Sequence, residues 1–245
     1  MPTFLTEVRE TLVPDRNAPF GPLPPLLVAM TVVTGLVDAF SYLLLGHVFV
    51  ANMTGNVVFL GFAVAGAQGF SIGASVVALV AFGLGSVLGG RIVQRFGHHR
   101  GHHVAIATAA QALLLAVSVI LALVGTRPFG SGVRYALIVF LALAMGVQNS
   151  SVRRLAVPDL TTTVLTLTVT GIGADSALGG GKGSKSGRRL ISVVAMFLGA
   201  LAGAELILHV HPFVPLILAL AIVAVVAVVS HWSGRSNPAW TQVEG

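Results

Sequence analysis

The chain has 245 residues, 55% of them hydrophobic and only 9% charged, whereas a soluble domain carries about a quarter of its residues as charges. A soluble domain of any size is excluded, and the absence of cysteine excludes disulfides, thiol catalysis and thiolate metal sites. The net charge of +6 does not indicate a nucleic-acid partner, because the Lys and Arg residues sit between apolar runs, where they set topology and touch anionic lipids.

In chain order, the first 20 residues are mixed and charged (Glu7, Arg9, Glu10, Asp15, Arg16). A cleavable signal peptide starts with a basic tip and an apolar core, so none is expected, and residues 1–23 are predicted to stay in the cytoplasm. Apolar runs long enough to cross a bilayer follow at 26–46, 70–92, 104–125, 135–152, 190–208 and 213–230. Residues 231–245 form a cytoplasmic tail, and the glycine-rich stretch 179–189 reads as a flexible linker. The predicted fold is an all-α polytopic membrane protein.

Two apolar segments, 54–67 and 161–174, are only 14 residues long, a length that suggests re-entrant pieces rather than crossings. If both crossed there would be eight spans, and Arg91, Arg95, Arg100, Arg153 and Arg154 would face outward. With six spans, twelve of the fourteen cations lie inside and only Arg127 and Arg134 outside. Cytoplasmic loops are enriched in Lys and Arg, which favours six spans with two re-entrant segments.

The chain also repeats itself. GLVDAFS (35–41) is echoed by GVQNSSV (146–152), NMTGNVV (52–58) by DLTTTVL (159–165), and LGSVLGGRIV (84–93) by LGALAGAELI (198–207), at offsets of 111, 107 and 114. Two membrane repeats, 24–125 and 134–230, are the simplest account. Three spans per half is an odd number, so the halves are expected to be inverted relative to each other, as in many secondary transporters. Arg91 and its aligned Glu205 then face opposite sides, the cation inward.

The stretches VTGLVDAFSYLLLGHVFVANMTGNVVFLG and GVQNSSVRRLAVPDLTTTVLTLTVTG resemble the YoaK-like family of bacterial inner-membrane proteins, over about 24–230. The resemblance implies a multi-pass protein of the bacterial cytoplasmic membrane. The family is itself of unknown function, so no substrate follows from it.

Polar residues are concentrated where backbone must leave helical geometry. The seven residues HVFVANM (47–53), if extended, reach about 23 Å, enough to descend to a bilayer midplane roughly 15 Å away. A 14-residue helix rising about 21 Å can climb back. Its N-terminus would carry Asn52 or Thr54 as cap, Gly55 for close approach, and Asn56. By the repeat, Asp159 and Thr161, Thr162 and Thr163 would do the same from the opposite side, with Pro158 suiting an extended approach. Facing helix N-termini offer free N–H groups and positive dipole ends to an anion.

Asp38 in the middle of the first span is a functional candidate, because an unpaired charge at the bilayer centre costs at least about 2.5 kcal/mol. Its repeat mate is Asn149, beside Gln148, so only one half offers a group able to take a proton. Gln111 reads as interhelical glue, and Arg153 and Arg154 as topology anchors, one of which could draw an anion toward the second short segment. Gly85 with Gly89 and Gly199 with Gly203 are expected to let these spans approach each other or a second copy. The four histidines of HHRGHH (98–103) lie in a predicted loop with no carboxylate or cysteine nearby, so no metal or other cofactor is assigned.

No nucleophile elbow, zinc-protease pair or phosphate loop is present, and the chain is read as a non-enzyme. The expected function is a small-molecule transporter or channel, with an anionic solute favoured by the helix ends. Its substrate-binding residues would be Asp38, Asn52, Thr54, Gly55, Asn56, Gln148, Asn149, Asp159, Thr161, Thr162 and Thr163. Expected partners are the small-molecule or ion substrate and the lipid bilayer; a homodimer suits so small a chain. The alternative is a non-transporting membrane scaffold or lipid-handling partner protein.

Overall fold

A computed structural model of the protein describes residues 4–13, 15, 18–158, 160, 162–163, 165–174, 186–235 and 238–242. In chain order the helices are α1 (Phe4–Leu12), α2 (Leu23–Leu44), α3 (Met53–Val64), α4 (Ile72–Phe96), α5 (Arg100–Val124), α6 (Ser131–Leu155), α7 (Leu165–Ala174), α8 (Ser186–His209) and α9 (Val214–Gly234). A short 3-10 turn, Ala239–Thr241, follows. Helices α2, α4, α5, α6, α8 and α9 have 21 to 25 residues each, and at 1.5 Å per residue each covers a hydrocarbon core about 30 Å thick. The protein is an all-α, polytopic membrane protein.

Local chemistry starts these helices where expected. Ser71 caps α4 by accepting from the Ala74 amide at 3.2 Å, and prolines open α2 and α9, where a missing N–H costs nothing. Large apolar side chains such as Val80, Leu84 and Val87 of α4 and Phe197 and Leu201 of α8 are exposed. In water such faces would be a liability; in a bilayer they are the lipid-facing surface.

Contacts set the direction of every long helix. On α8, Gly199 meets Val32 of α2 and Gly203 meets Leu36, so these two run parallel; Gly85 and Gly89 of α4 likewise meet Leu143 and Val147 of α6. Helix α6 runs against α2, because Arg134 near its start lies by Gly46 while Gln148 near its end bonds Thr34. Helix α5 starts where α9 ends, Gly101 against Gly234. The loops therefore sort to two ends. Residues 45–52, 65–71, 125–130 and 210–213 gather at one, where His211 meets Arg127. Residues 18–22, 97–99, 156–158 and 238–242 gather at the other, where Arg100 holds the carbonyls of Pro19 and Trp240.

The short segments do not cross. The His47 ring nitrogen Nδ1 lies 2.9 Å from the Gly69 carbonyl oxygen, so the chain leaves and re-enters α3's surroundings at one end of the bundle. The second short segment also returns to its own end, since Arg188 at the start of α8 donates to the Pro158 carbonyl at 3.4 Å. The eight-span alternative is excluded by these two contacts.

Four local expectations are corrected. The second short helix starts at Leu165 rather than 161, leaving Thr162 and Thr163 ahead of it. The glycine-rich linker ends earlier than 189, because Ser186–Arg189 already belong to α8; residues 175–185 lie outside the described residues. The second half of HHRGHH is helical, and His99 caps α5 by accepting from the His102 amide at 3.0 Å. The glycine pairs face neither each other nor a second copy: Gly85 and Gly89 pack on α6, and Gly199 and Gly203 on α2. Small residues dictate close approach but not the partner. Here the partners carry glycine at the crossing too, Gly146 against α4 and Gly35 against α8, so one seam is built twice at repeat-equivalent positions.

Candidate functional site: a cavity between the two short segments

The site begins with a reversal. Gly46 (φ 93°) and His47 (φ 55°) both take left-handed backbone, which turns the chain back along α2. Extended backbone alternates its side chains, and Val48 and Val50 enter the core while Phe49 stacks on Tyr42, ring centroids 5.0 Å apart. Extended chain at membrane depth has no neighbour in a helix ladder, so each amide needs a partner from elsewhere. Buried Asp38 supplies it, its Oδ1 accepting from the Val50 amide at 3.0 Å and the Ala51 amide at 2.9 Å. Asn56 serves Phe49, accepting from its amide at 2.9 Å and donating to its carbonyl at 2.6 Å. Asn52 then caps α3, accepting from the Gly55 amide at 3.4 Å.

The second half also turns its chain back after a long helix, but holds it through a side chain rather than through backbone amides. Helix α6 ends on left-handed Ala156 (φ 48°). Asn149, the counterpart of Asp38, accepts from the Thr163 hydroxyl at 2.5 Å and donates to the Met145 carbonyl at 2.9 Å. A side chain nearly two turns before each helix end thus pins the segment that folds back.

Between the two pinned segments lies a cavity of about 1160 Å³. Seven of the predicted substrate-binding residues line it: Asp38, Asn52, Thr54, Gly55, Asn149, Thr162 and Thr163. Asn56 does not; it is fully buried and spent on Phe49. Gln148 does not either, and is placed instead in a buried amide relay, accepting from Gln111 Nε2 at 2.6 Å and donating to the Thr34 hydroxyl at 3.0 Å. Gln111 is interhelical glue, as its isolation in an apolar span implied. Asp159 and Thr161 lie outside the described residues.

Several lining residues carried no usable signal in the sequence, being ordinary helix residues: Phe82 and Ser86 on α4, Met196 and Ala200 on α8. The repeat offsets alone could have found them, because Phe82 and Met196, and Ser86 and Ala200, stand 114 residues apart. Several pairs at these offsets line the cavity together, among them Asp38 with Asn149 and Gly55 with Thr162, yet the chemistry differs between the halves. Tyr42, Phe49 and Phe59 stack on one another in the first half, with Phe49 and Phe59 5.6 Å apart. Their counterparts at the same offsets are Arg153, Ala156 and Thr166, all on the cavity wall.

Residues 26–229 match the family described as "Protein of unknown function (DUF1275)". The chain belongs to this family. One relative within reach is the UPF0700 transmembrane protein YoaK of Bacillus subtilis (strain 168), 33% identical over 145 residues, which cover 59% of this chain and 63% of that protein. The match therefore spans less than two thirds of the relative's length. No solved structure is similar to the chain. The DUF1275 region runs from the first turn of α2 to the last turns of α9, and so contains every wall of the cavity.

Proposed function

We propose that the protein is a transporter or channel for a small polar solute, built from two inverted halves that share one binding cavity. The observation that carries this reading is that both short segments, from opposite ends of the bundle, reach the same 1160 Å³ cavity. Midplane sites formed where discontinuous helices of two inverted repeats meet are the usual arrangement of secondary transporters. Each helix and its counterpart run in opposite directions here, α2 against α6 and α5 against α9, as inversion requires. The distribution of cations supports a cytoplasmic location for the Trp240 end, in a bacterial inner membrane. Arg91, Arg95, Arg100, Arg153, Arg154, Arg188 and Arg235 lie toward that end, whereas Arg127 and Arg134 lie toward the His47 end, and positive charge stays inside.

The test is uptake of labelled acetate, sulfate, phosphate and glycerol into vesicles holding the purified protein. At least one solute is expected to enter faster than into empty vesicles, and Thr54→Trp, which places a bulky ring in the cavity, is expected to reduce the difference. If the folded protein moves none of these, and the Thr54→Trp protein corrects a cellular phenotype of gene loss as fully as wild type, the scaffold alternative takes over. Orientation is read in the same preparation of cells. With no native cysteine, His98→Cys is expected to resist an impermeant thiol reagent in intact cells, and Gln68→Cys to be labelled by it.

A further inference from the structure

The two halves are built alike but are not charged alike, and an unpaired hydroxyl marks which of them differs in role. Thr162 is 1% exposed and lines the cavity, yet its Oγ1 has no hydrogen-bond partner. A buried hydroxyl without a partner costs about 1–3 kcal/mol, which a ligand atom would offset. Thr162 lies just ahead of α7, whose first amides lack intrahelical partners. The Leu165 amide is already taken by the Thr163 carbonyl at 3.2 Å, while Thr166 in the same turn lines the cavity. Arg153 lines the same cavity, and among the described residues no carboxylate pairs with it.

At the first half's equivalent place the charged groups differ. Asn52 closes the α3 terminus by taking the Gly55 amide. The acidic Asp38 stands where the second half has neutral Asn149, and Tyr42, held in an aromatic stack, stands where the second half has Arg153. An anion at α3 would meet an acid; at α7 it meets a cation, a free hydroxyl donor and a positive helix end.

We propose that the solute carries an oxyanion and that the second half alone seats it, on the Thr162 hydroxyl, the Arg153 guanidinium and the first turn of α7. The assignment rests on reading the cavity as a solute site. It replaces two facing, equivalent anion sites by one, and leaves the first half to hold the remainder of the solute against Phe49 and Phe59.

Binding is measured apart from transport. The purified full-length protein in detergent is titrated with sodium acetate and, separately, with sodium sulfate, against sodium chloride at matched ionic strength, and the unfolding temperature is followed. A saturable gain over chloride is expected with at least one oxyanion, acetate alone indicating a carboxylate and sulfate alone a tetrahedral anion. Thr162→Val and Arg153→Gln are each expected to weaken the apparent affinity about tenfold. Thr162→Ser retains it, and so does Arg154→Gln, which removes a neighbouring cation that does not line the cavity. No gain over chloride, a gain untouched by both variants, or a loss in Asn52→Ala as large as in Thr162→Val would each overturn the proposal. If Thr162-dependent binding is found without uptake, the transporter reading fails and the seat stands. Uptake indifferent to Thr162→Val and Arg153→Gln means the reverse.

Discussion

Asp38→Ala is expected to leave the protein unable to fold stably, and Asp38→Asn to leave it folded. The alanine variant removes the oxygen that accepts from Val50 and Ala51 at 3.0 and 2.9 Å. Two amides are then buried without partners in a setting where water cannot replace the loss. At about 1–3 kcal/mol each, the pair costs a large share of a total stability of about 5–15 kcal/mol. Asparagine keeps a carbonyl oxygen at the same place and forfeits only the charge-assisted part of each bond. Unfolding temperature and monodisperse yield of the two variants in detergent measure this ordering. An Asp38→Ala protein as stable as wild type would mean that the segment is held some other way. If Asp38→Asn folds but loses uptake, the same carboxyl acts on the solute or on a proton as well as on the backbone, which its position on the cavity wall allows.

Glycine-to-alanine changes are expected to fall into two groups of opposite sign. A Cβ on Gly35 would lie 2.5 Å from the Met196 carbonyl oxygen and 2.6 Å from the Ala200 nitrogen, and one on Gly146 would lie 2.7 Å from the Ser86 nitrogen. These neighbours are backbone atoms that cannot rotate away, so the helices must part along the whole seam. The expected loss is about 3 kcal/mol or more, at the upper end of overpacking costs. Gly83 and Gly90 have nothing within 4 Å of a built Cβ. There the same substitution removes only the helix penalty of glycine, up to about 1 kcal/mol, and is expected to be neutral or slightly stabilising. Melting curves of the four single variants decide it; equal behaviour of Gly35→Ala and Gly83→Ala contradicts the seam.

Much of the architecture was legible because bilayers make a simple demand. A run of apolar residues near 20 long has one sensible use, so the six spans matched α2, α4, α5, α6, α8 and α9 with their ends displaced by a few residues. Polar residues in such a chain also signal reliably, since hydrocarbon tolerates them only with partners. What they signal is less specific. Asn56 and Gln148 stood beside Asn52 and Asn149 in the sequence and had the same claim to a site. One is consumed by Phe49 and the other by Gln111 and Thr34. Which way an amide points depends on helix rotation, set by packing across the seams and not by the amide's own neighbours in the chain.

The sequence by itself determined the class of protein, the number of spans and the positions where helix must give way. These are local properties, readable from run length, small residues and polar interruptions. Tertiary structure alone decided that the Gly85 and Gly199 faces pack on α6 and α2 rather than on each other, and that Asp38 reaches amides 12 and 13 residues ahead. It also decided that Thr162 and Arg153 line one cavity with Phe49 and Phe59 of the first half. All three depend on the left-handed turn at Gly46 and His47 and on the parallel pairing of helices from different halves, and contacts between residues so far apart in the chain leave no periodicity in the sequence to read.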